Sequence, residues 1–369
     1  MFDAFFHGKR ILVTGHTGFK GSWLAVWLLR MGAKVAGFAL PPKTERDHFA
    51  LLGLADRMDH LVGDLRDADQ VRRALEQAAP EIVFHLAAQP LVRLSYAEPK
   101  LTFDTNLGGA VNLLEAVRQC PSVRTLVFIT SDKCYRNQEW PWGYRENDEL
   151  GGPDPYSASK AGAEIVFGAY QASFFAARPN FAAATARAGN VIGGGDWAAD
   201  RIVPDCVRAL ADQRPVSVRN PDATRPWQHV LEPLSGYLRL AQRLGSAGGQ
   251  RFRGAWNFGP TKESNRTVRE LVEKILQTWG SGQAVMDPAQ NNDGPHEARF
   301  LHLNCDKAHQ ELGWTPTWHF EEGVEQTARW YRDWLRGADA WKLTTGQIEA
   351  YCEAATRRVP ATAPQPRAG

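Results

Sequence analysis

Arg10-Ile-Leu-Val-Thr14 runs directly into Gly15-His-Thr-Gly18-Phe-Lys-Gly21, and a helical stretch, Ser22–Met31, follows. An apolar strand, a glycine-rich turn and a helix in that order predict the first βα unit of a parallel sheet. The glycines permit a tight turn and a close backbone approach. A pyrophosphate can then rest on the helix N-terminus, where unbonded amides and the helix dipole favour negative charge.

Outward from this unit the same alternation continues. Candidate strands are Lys34–Phe38, His60–Val62, Ile82–Leu86, Thr125–Thr130 and Phe181–Arg187. Amphipathic stretches lie between them at Ala68–Ala78, Asn106–Gln119 and Tyr156–Phe175. Right-handed crossovers make this a doubly wound α/β fold, a parallel sheet of the Rossmann type. After Asn190 the chain becomes richer in Arg, Pro and Trp, with helical patterns at Leu231–Leu244, Val268–Trp279 and Phe320–Leu335. The reading is a dinucleotide-binding domain over residues 1–190 and a smaller C-terminal substrate-binding lobe, mainly 191–352, with some segments returning to the first domain. Residues 353–369 are expected to be a disordered tail, since the closing Ala361-Thr-Ala-Pro-Gln-Pro-Arg-Ala-Gly369 lacks core-forming side chains.

The bulk composition excludes several classes. A net charge of +2 over 369 residues gives no strong field for nucleic acid or membrane. The five cysteines are scattered without a CxxC pair, which favours reduced thiols in the cytoplasm and no structural metal site. The N-terminus carries an early acid and no long apolar stretch, so neither a signal peptide nor a membrane span fits it.

Within the loop, Gly15, Thr17, Gly18, Phe19, Lys20 and Gly21 are the candidate cofactor contacts. Asp64-Leu65 can cap an adenine, and Leu86-Ala87-Ala88 offers small residues where a ribose or flat ring approaches. The second strand ends Gly37-Phe-Ala-Leu40, with no acid to grip the adenosine ribose. NAD and NADP therefore stay unresolved from this end, Lys20 and Lys43 being candidates for a 2′-phosphate. A looser grip on NAD is the expectation.

Two short segments carry the chemistry. Tyr156 and Lys160 are four apart and share a helix face. A phenol with a pKa of about 10 needs a neighbouring ammonium and the nicotinamide charge to act as a base toward a sugar hydroxyl. Lys160 would also bond the cofactor ribose. Ser131 lies at the carboxyl end of the fifth strand, where doubly wound sheets bind ligands, and Thr130 precedes it. Simple oxidation does not need the next two residues, Asp132 and Lys133. Oxidation at C4 of a sugar acidifies C5–H, which a neutral Lys133 can remove. A protonated Asp132 can then deliver a proton to the hydroxyl leaving C6.

The chain resembles the extended short-chain dehydrogenase/reductases. Within them it is similar to the nucleotide-sugar 4,6-dehydratases, of the branch that acts on CDP-glucose. The resemblance runs over residues 8–350. It is carried by the glycine loop, Ala88-Gln-Pro-Leu-Val-Arg-Leu-Ser95, Thr130-Ser-Asp-Lys-Cys-Tyr135, Trp142-Gly-Tyr-Arg-Glu146, Arg187-Ala-Gly-Asn-Val-Ile-Gly-Gly-Gly-Asp-Trp197 and Arg225-Pro-Trp-Gln-His-Val230. Relatives acting on dTDP-sugars commonly have Asp-Glu where this chain has Asp132-Lys133, so the resemblance makes Lys133 the C5 base. It implies NAD recycled in place, and a homodimer or dimer of dimers packed through Asn106–Gln119 and Tyr156–Phe175. It also implies substrate contacts at Asn190, Arg201, Arg219, Arg225, His296 and Arg299, while His229 reads as a packed loop residue and Trp197 or Trp227 could line the nucleotide pocket. The rivals are a nucleotide-sugar 4-epimerase, a dehydratase for another nucleotide-sugar, and a catalytically silent dinucleotide sensor. Base preference rests on the resemblance alone.

Overall fold

The computed structural model describes residues 1–286 and 301–358. Seven parallel strands form one sheet: β1 Arg10–Thr14, β2 Lys34–Ala39, β3 Asp59–Val62, β4 Ile82–His85, β5 Thr125–Ile129, β6 Ala182–Ala188 and β7 Gly254–Phe258. Their order across the sheet is β3-β2-β1-β4-β5-β6-β7. The chain therefore leaves β1 toward one edge and returns to β4 on the other side. That reversal opens a crevice at the carboxyl ends of β1 and β4, the usual ligand site of such sheets.

Burial on both faces explains the near-continuous apolar strands. Successive side chains alternate between faces. Ile11, Val13, Val127 and Ile129 join the core on one face, while Leu12, Leu126 and Phe128 join the core on the other. Helices α1 Phe19–Arg30, α2 Ala68–Ala78, α3 Gly109–Gln119 and α4 Pro155–Tyr170 cover the N-terminal strands. Helix α4 starts where the sequence says it should: Asp154 accepts from the Ser157 amide at 2.9 Å, and Pro155 occupies the first helical position.

Helix α1 begins one turn earlier than the apolar pattern indicates, at Phe19, because Gly18 is its N-cap and the Ser22 amide donates to the Gly18 carbonyl at 2.9 Å. Lys20 consequently sits in the first turn. Residues 104–108 form a wide helical turn before α3, which shortens the stretch expected from Asn106.

In the second half come α5 Ile202–Ala211, α6 Leu231–Leu244, α7 Val268–Trp279, α8 Phe320–Leu335 and α9 Ala340–Arg358. Short strand pairs join Val191–Ile192 to Gln228–His229, Thr224–Pro226 to Asn265–Thr267, and Val216–Val218 to Ala284–Met286. Two pieces return to the first layer. Strand β7 pairs with β6, and Gly236 of α6 lies so close to β7 that a Cβ would meet the Phe258 ring at 2.2 Å.

Helix α9 corrects the tail expectation. Residues 353–358 complete that helix, because Thr344, Ile348, Tyr351 and Ala355 form a buried stripe at helical spacing. Arg358 pairs with Glu322 of α8 at 3.2 Å. The remainder of the expected tail, 359–369, lies outside the described residues.

His48 ties these layers together. Its Nδ1 lies 2.8 Å from Ser22 Oγ of α1 and its Nε2 3.0 Å from Thr344 Oγ1 of α9, with Trp23 stacked on the ring. Burial pushes its pKa down to about 3. A folded pKa below the unfolded value means that the unfolded chain binds the proton first. The contribution is present above pH 6.5 and is lost as pH falls toward 3. His48→Asn should therefore remove about 2 kcal/mol from the difference in stability between pH 7 and pH 5, read from urea midpoints of both proteins at both pH values. An unchanged difference would mean that His48 does not resist protonation.

Candidate active site

The glycine loop closes on itself through backbone contacts that leave no room for side chains. A Cβ on Gly21 would lie 2.1 Å from the Gly15 carbonyl oxygen, and one on Gly15 would lie 2.7 Å from the Ala87 amide nitrogen. Gly15 has φ +75° and donates to the Phe38 carbonyl at 2.9 Å. The loop thus bridges β2, β4 and the first turn of α1, while Gly18 stays exposed at the crevice. Small, half-buried Ala87 and Ala88 form the facing wall. A backbone cradle open at a helix N-terminus fits a dinucleotide pyrophosphate.

Around the cradle, Thr17 donates to the Leu40 carbonyl at 2.9 Å, and Phe19 is half-buried. Asp64 receives Arg66 on both carboxylate oxygens, which holds it below the usual range. Leu65 is buried against the position a Gly109 Cβ would take. No acid stands at the end of β2. His16 instead fills the space over Gly37, whose added Cβ would meet the ring at 2.2 Å, and it bonds His60 at 2.7 Å.

Lys20 is corrected. The charges its ammonium feels are those of Arg201, Asp132 and Asp196, near the β5 end of the crevice, rather than groups at the adenosine end. Burial pushes it down to about 8. Placement in the first turn of α1 aims residue 20 across the crevice, a consequence of the earlier helix start. Thr130 is corrected as well: its hydroxyl donates to the buried Glu164 and is turned away from the crevice.

Ser131, Asp132 and Lys133 lie where β5 ends, with Asp132–Cys134 forming a single helical turn. Ser131 Oγ donates to Asp132 Oδ1 at 2.9 Å and accepts from the Lys133 amide at 3.2 Å. Asp132 is 3% exposed, and burial pushes its carboxyl above the usual range. Gly189 makes room for it, since a Cβ there would lie 2.8 Å from Asp132 Oδ2. Lys133 is half-buried.

Ser131 lies near enough to Tyr156 to act on its phenol, so the two segments meet. The expected lowering called on the nicotinamide charge as well as an ammonium; among the protein's own groups, burial outweighs the lowering effect of Ser131 and pushes the phenol up to about 12. Lys160, buried one helical turn further along, is pushed down to about 8 by burial and then by the charge of Lys20. Beneath them His85 lies 2.8 Å from Thr14 Oγ1, and burial, with Lys160 second, pushes it down to about 3.

The second half contributes unevenly. Asn190 is half-buried, and its carbonyl accepts from the Gln228 amide at 3.3 Å. Arg201 pairs with Asp196 at 2.7 Å, and Arg219 lies 3.8 Å from Asp200. Arg225 is on the short strand beside Asn265–Thr267 and donates to the Thr224 carbonyl at 2.8 Å. His296 and Arg299 lie outside the described residues. Trp197 packs against Tyr331 and Trp334, and Trp227 donates to the Arg266 carbonyl, so both belong to the interior. His229 is fully buried between Trp23 and Trp318, the packed residue expected. A cavity of about 500 Å³ adjoins Pro226, with Trp142, Arg145, Lys262, Asn265 and His302 on its walls.

Three contributors escape sequence reasoning. Gly189 reads as an ordinary loop glycine. Tyr237, on α6, is felt by Asp132 and Tyr156 only through the fold. Glu164, one turn beyond Lys160, carries the sole legible signal: an acid on an apolar helix face.

Among the described residues, no cluster of His, Cys, Asp and Glu is placed to hold a metal, and no helix is long and apolar enough to cross a membrane.

A glycine cradle, a Tyr-x-x-x-Lys pair and a hydroxyl at the β5 end define an extended short-chain dehydrogenase/reductase. The sequence profile of the GDP-mannose 4,6 dehydratase family matches residues 12–327, and the chain belongs to that family. It is 48% identical to the CDP-glucose 4,6-dehydratase of Salmonella typhimurium over 357 residues, 96% of this chain and 99% of that protein. The UDP-glucose 4-epimerase of Thermus thermophilus, solved in complex with NAD, superposes with a TM-score of 0.72 at 26% identity, covering 89% of this chain and 99% of its own. A dTDP-glucose 4,6-dehydratase double mutant from Streptomyces venezuelae, solved with NAD, gives 0.70 at 26% identity, covering 88% and 97%.

The electrostatics of the pair can be checked directly. Lys160 is expected to titrate near pH 8, followed by NMR of the lysine side-chain nitrogens. Lys20→Met should raise that midpoint, since the Lys20 charge opposes protonation of Lys160. A midpoint unmoved by the substitution would place Lys20 outside the site.

Proposed function

We propose that the chain dehydrates CDP-D-glucose to CDP-4-dehydro-6-deoxy-D-glucose, using NAD as a recycled cofactor. The observation that carries the reading is Asp132, a buried carboxyl with its pKa raised, hydrogen-bonded to Ser131 and flanked by Lys133, close enough to Tyr156 to act on its phenol. An epimerase needs only the Tyr, Lys and hydroxyl set. The additional acid and amine serve an elimination. The 48% identity to a CDP-glucose 4,6-dehydratase over nearly the whole chain supports the same substrate.

The cofactor would be held by the Gly15–Gly21 loop, Asp64-Leu65, the Leu86–Ala88 wall and Lys160. When bound, NAD supplies a reversible acceptor for the hydrogen that leaves C4 and returns to C6, and its oxidised ring favours the Tyr156 phenolate. Ser131 orients the C4 hydroxyl, and Tyr156 takes its proton. With C4 a ketone, Lys133 removes the proton from C5 while Asp132 protonates the hydroxyl leaving C6, which departs as water. Proton return to C5 from Lys133, and passage of the proton gained by Tyr156 back to Asp132 by way of Ser131, complete a balance in which one water is lost and net redox is zero. Asp132 suits the donor role because burial shifts its carboxyl toward the protonated form.

Asn190, Arg201, Arg219 and Arg225 would hold the substrate away from the reacting carbon, with guanidinium forks suited to phosphate oxygens. The cavity beside Pro226 falls in the size range of a ligand pocket, roughly 300–1,000 Å³. A homodimer is part of the reading: Phe103, Val111, Ile165 and Phe174 expose apolar surface on or beside α3 and α4, Ile165 at 62%. The reading is of a cytoplasmic enzyme whose product feeds 6-deoxy or 3,6-dideoxy sugars of lipopolysaccharide.

Incubation with CDP-glucose and NAD should give a product that develops a near-ultraviolet chromophore in alkali. CDP-galactose without that chromophore would make the chain an epimerase, and preference for another nucleotide in a substrate panel would correct the base. Lys133→Met should retain C4 oxidation, seen as reduced-cofactor absorbance, and lose water elimination by about 10²-fold or more, the general-base range starting there. Elimination at the normal rate would remove Lys133 from the base role.

A further inference from the structure

Beneath the catalytic segments lies a closed polar network that the reaction itself does not use. Glu164 of α4 accepts four hydrogen bonds. Thr130 Oγ1 and Arg187 Nε donate to one oxygen, the latter at 2.9 Å. Thr185 Oγ1 and an Arg187 terminal nitrogen donate to the other, each at 2.8 Å. Arg187 then reaches on to Tyr135 Oη at 2.6 Å and the Glu146 carbonyl at 3.0 Å. The Tyr135 hydroxyl donates to Asn257 of β7 at 2.8 Å. Both side chains of the ion pair are buried, at 3% and 4% exposure, so water does not compete for these bonds.

The places where this network grips the chain matter most. Thr130 is the residue before Ser131-Asp132-Lys133-Cys134, and Tyr135 is the residue after it. Glu164 stands on the helix that carries Tyr156 and Lys160. One ion pair thus holds both ends of the proposed acid–base segment against the proposed oxidising pair.

We propose that Glu164 and Arg187 are positioning residues that set the register between C4 oxidation and C5–C6 elimination, the Thr130 end serving the first step and the Tyr135 end the second. This rests on the dehydratase reading above. The division follows from chain order. Ser131 is anchored from the Thr130 side by β5, and Lys133 is nearer the Tyr135 side. Loosening one end displaces its own residue more than the other, and misplacement on the scale of an ångström costs up to about 10²-fold in rate.

Thr130→Val and Tyr135→Phe each remove a hydroxyl while keeping shape and the ion pair. Wild type and both variants would be followed through a single turnover of CDP-glucose with NAD, monitoring reduced-cofactor absorbance and exchange of the C5 hydrogen with deuterated solvent. In Tyr135→Phe, kcat should fall about tenfold with KM nearly unchanged, and reduced cofactor should accumulate because elimination lags. In Thr130→Val, reduced cofactor should appear more slowly and never accumulate. Parallel loss of both steps in both variants, or a lowered Tm with kcat intact, would overturn the division and leave the network a purely structural one. A wild-type protein that leaves CDP-glucose unchanged would sink the dehydratase reading itself, a result distinguishable from either.

Discussion

The Glu164–Arg187 ion pair is the interaction on which the rest of the site depends. Charges buried this deeply cost several kcal/mol each in lost hydration, and only close pairing with full hydrogen bonding offsets that cost. The chain meets the condition completely at the carboxylate, with four donors on two oxygens. Burial opposes the charge on Arg187, and Glu164 more than restores it, raising the pKa above an ordinary guanidinium. Placing an arginine in β6, among Ala182, Ala183, Ala184, Ala186 and Ala188, is tolerable only because α4 brings Glu164 directly over it. Packing of α4 on β5 and β6 is therefore specified by charge as well as by apolar fit. A slip of one residue along β6 would turn Arg187 to the other face of the sheet, away from Glu164.

Most of the architecture was legible because it obeys two simple periodicities. Leu231–Leu244, Val268–Trp279 and Phe320–Leu335 appear at the boundaries read from helical spacing, and the first six strands fall within a residue or so of their apolar runs. Strand β7 was not legible: Gly254-Ala-Trp-Asn-Phe258 is short, carries a glycine and an asparagine, and becomes a strand by pairing with β6. Helix α9 was hidden by its many polar and small residues. Its stripe of Thr344, Ile348, Tyr351 and Ala355 counts as apolar only once Trp27, Trp318 and Trp330 are in place beside it.

The candidate site divides the same way. Tyr156 and Lys160 sit together by helix geometry, and Ser131 meets them by the rule that strand ends face the crevice, so both follow from local order. Lys20 did not, because its direction depends on where α1 starts, and Gly18 rather than Ser22 decides that. Thr130 was misread for a related reason. Its neighbour Ser131 faces the crevice, so alternation along the strand turns Thr130 inward to Glu164. For Arg201 and Arg219, sequence identifies a guanidinium without revealing the aspartate beside it.

The remaining electrostatics bear on how an acid and several amines can share so small a volume. Lys20 and Lys133 favour an ionised Asp132, yet burial overrides them and its carboxyl is raised. The same burial lowers Lys20 and Lys160 to about 8, which brings both ammonium groups near the point of losing a proton. Desolvation thus pushes Asp132, Lys20 and Lys160 toward their neutral forms. For the proposed elimination this is the useful direction at Asp132, since the proton donor must be neutral. The surplus acid beyond an oxidising pair makes chemical sense in a site where low polarity favours its protonated form.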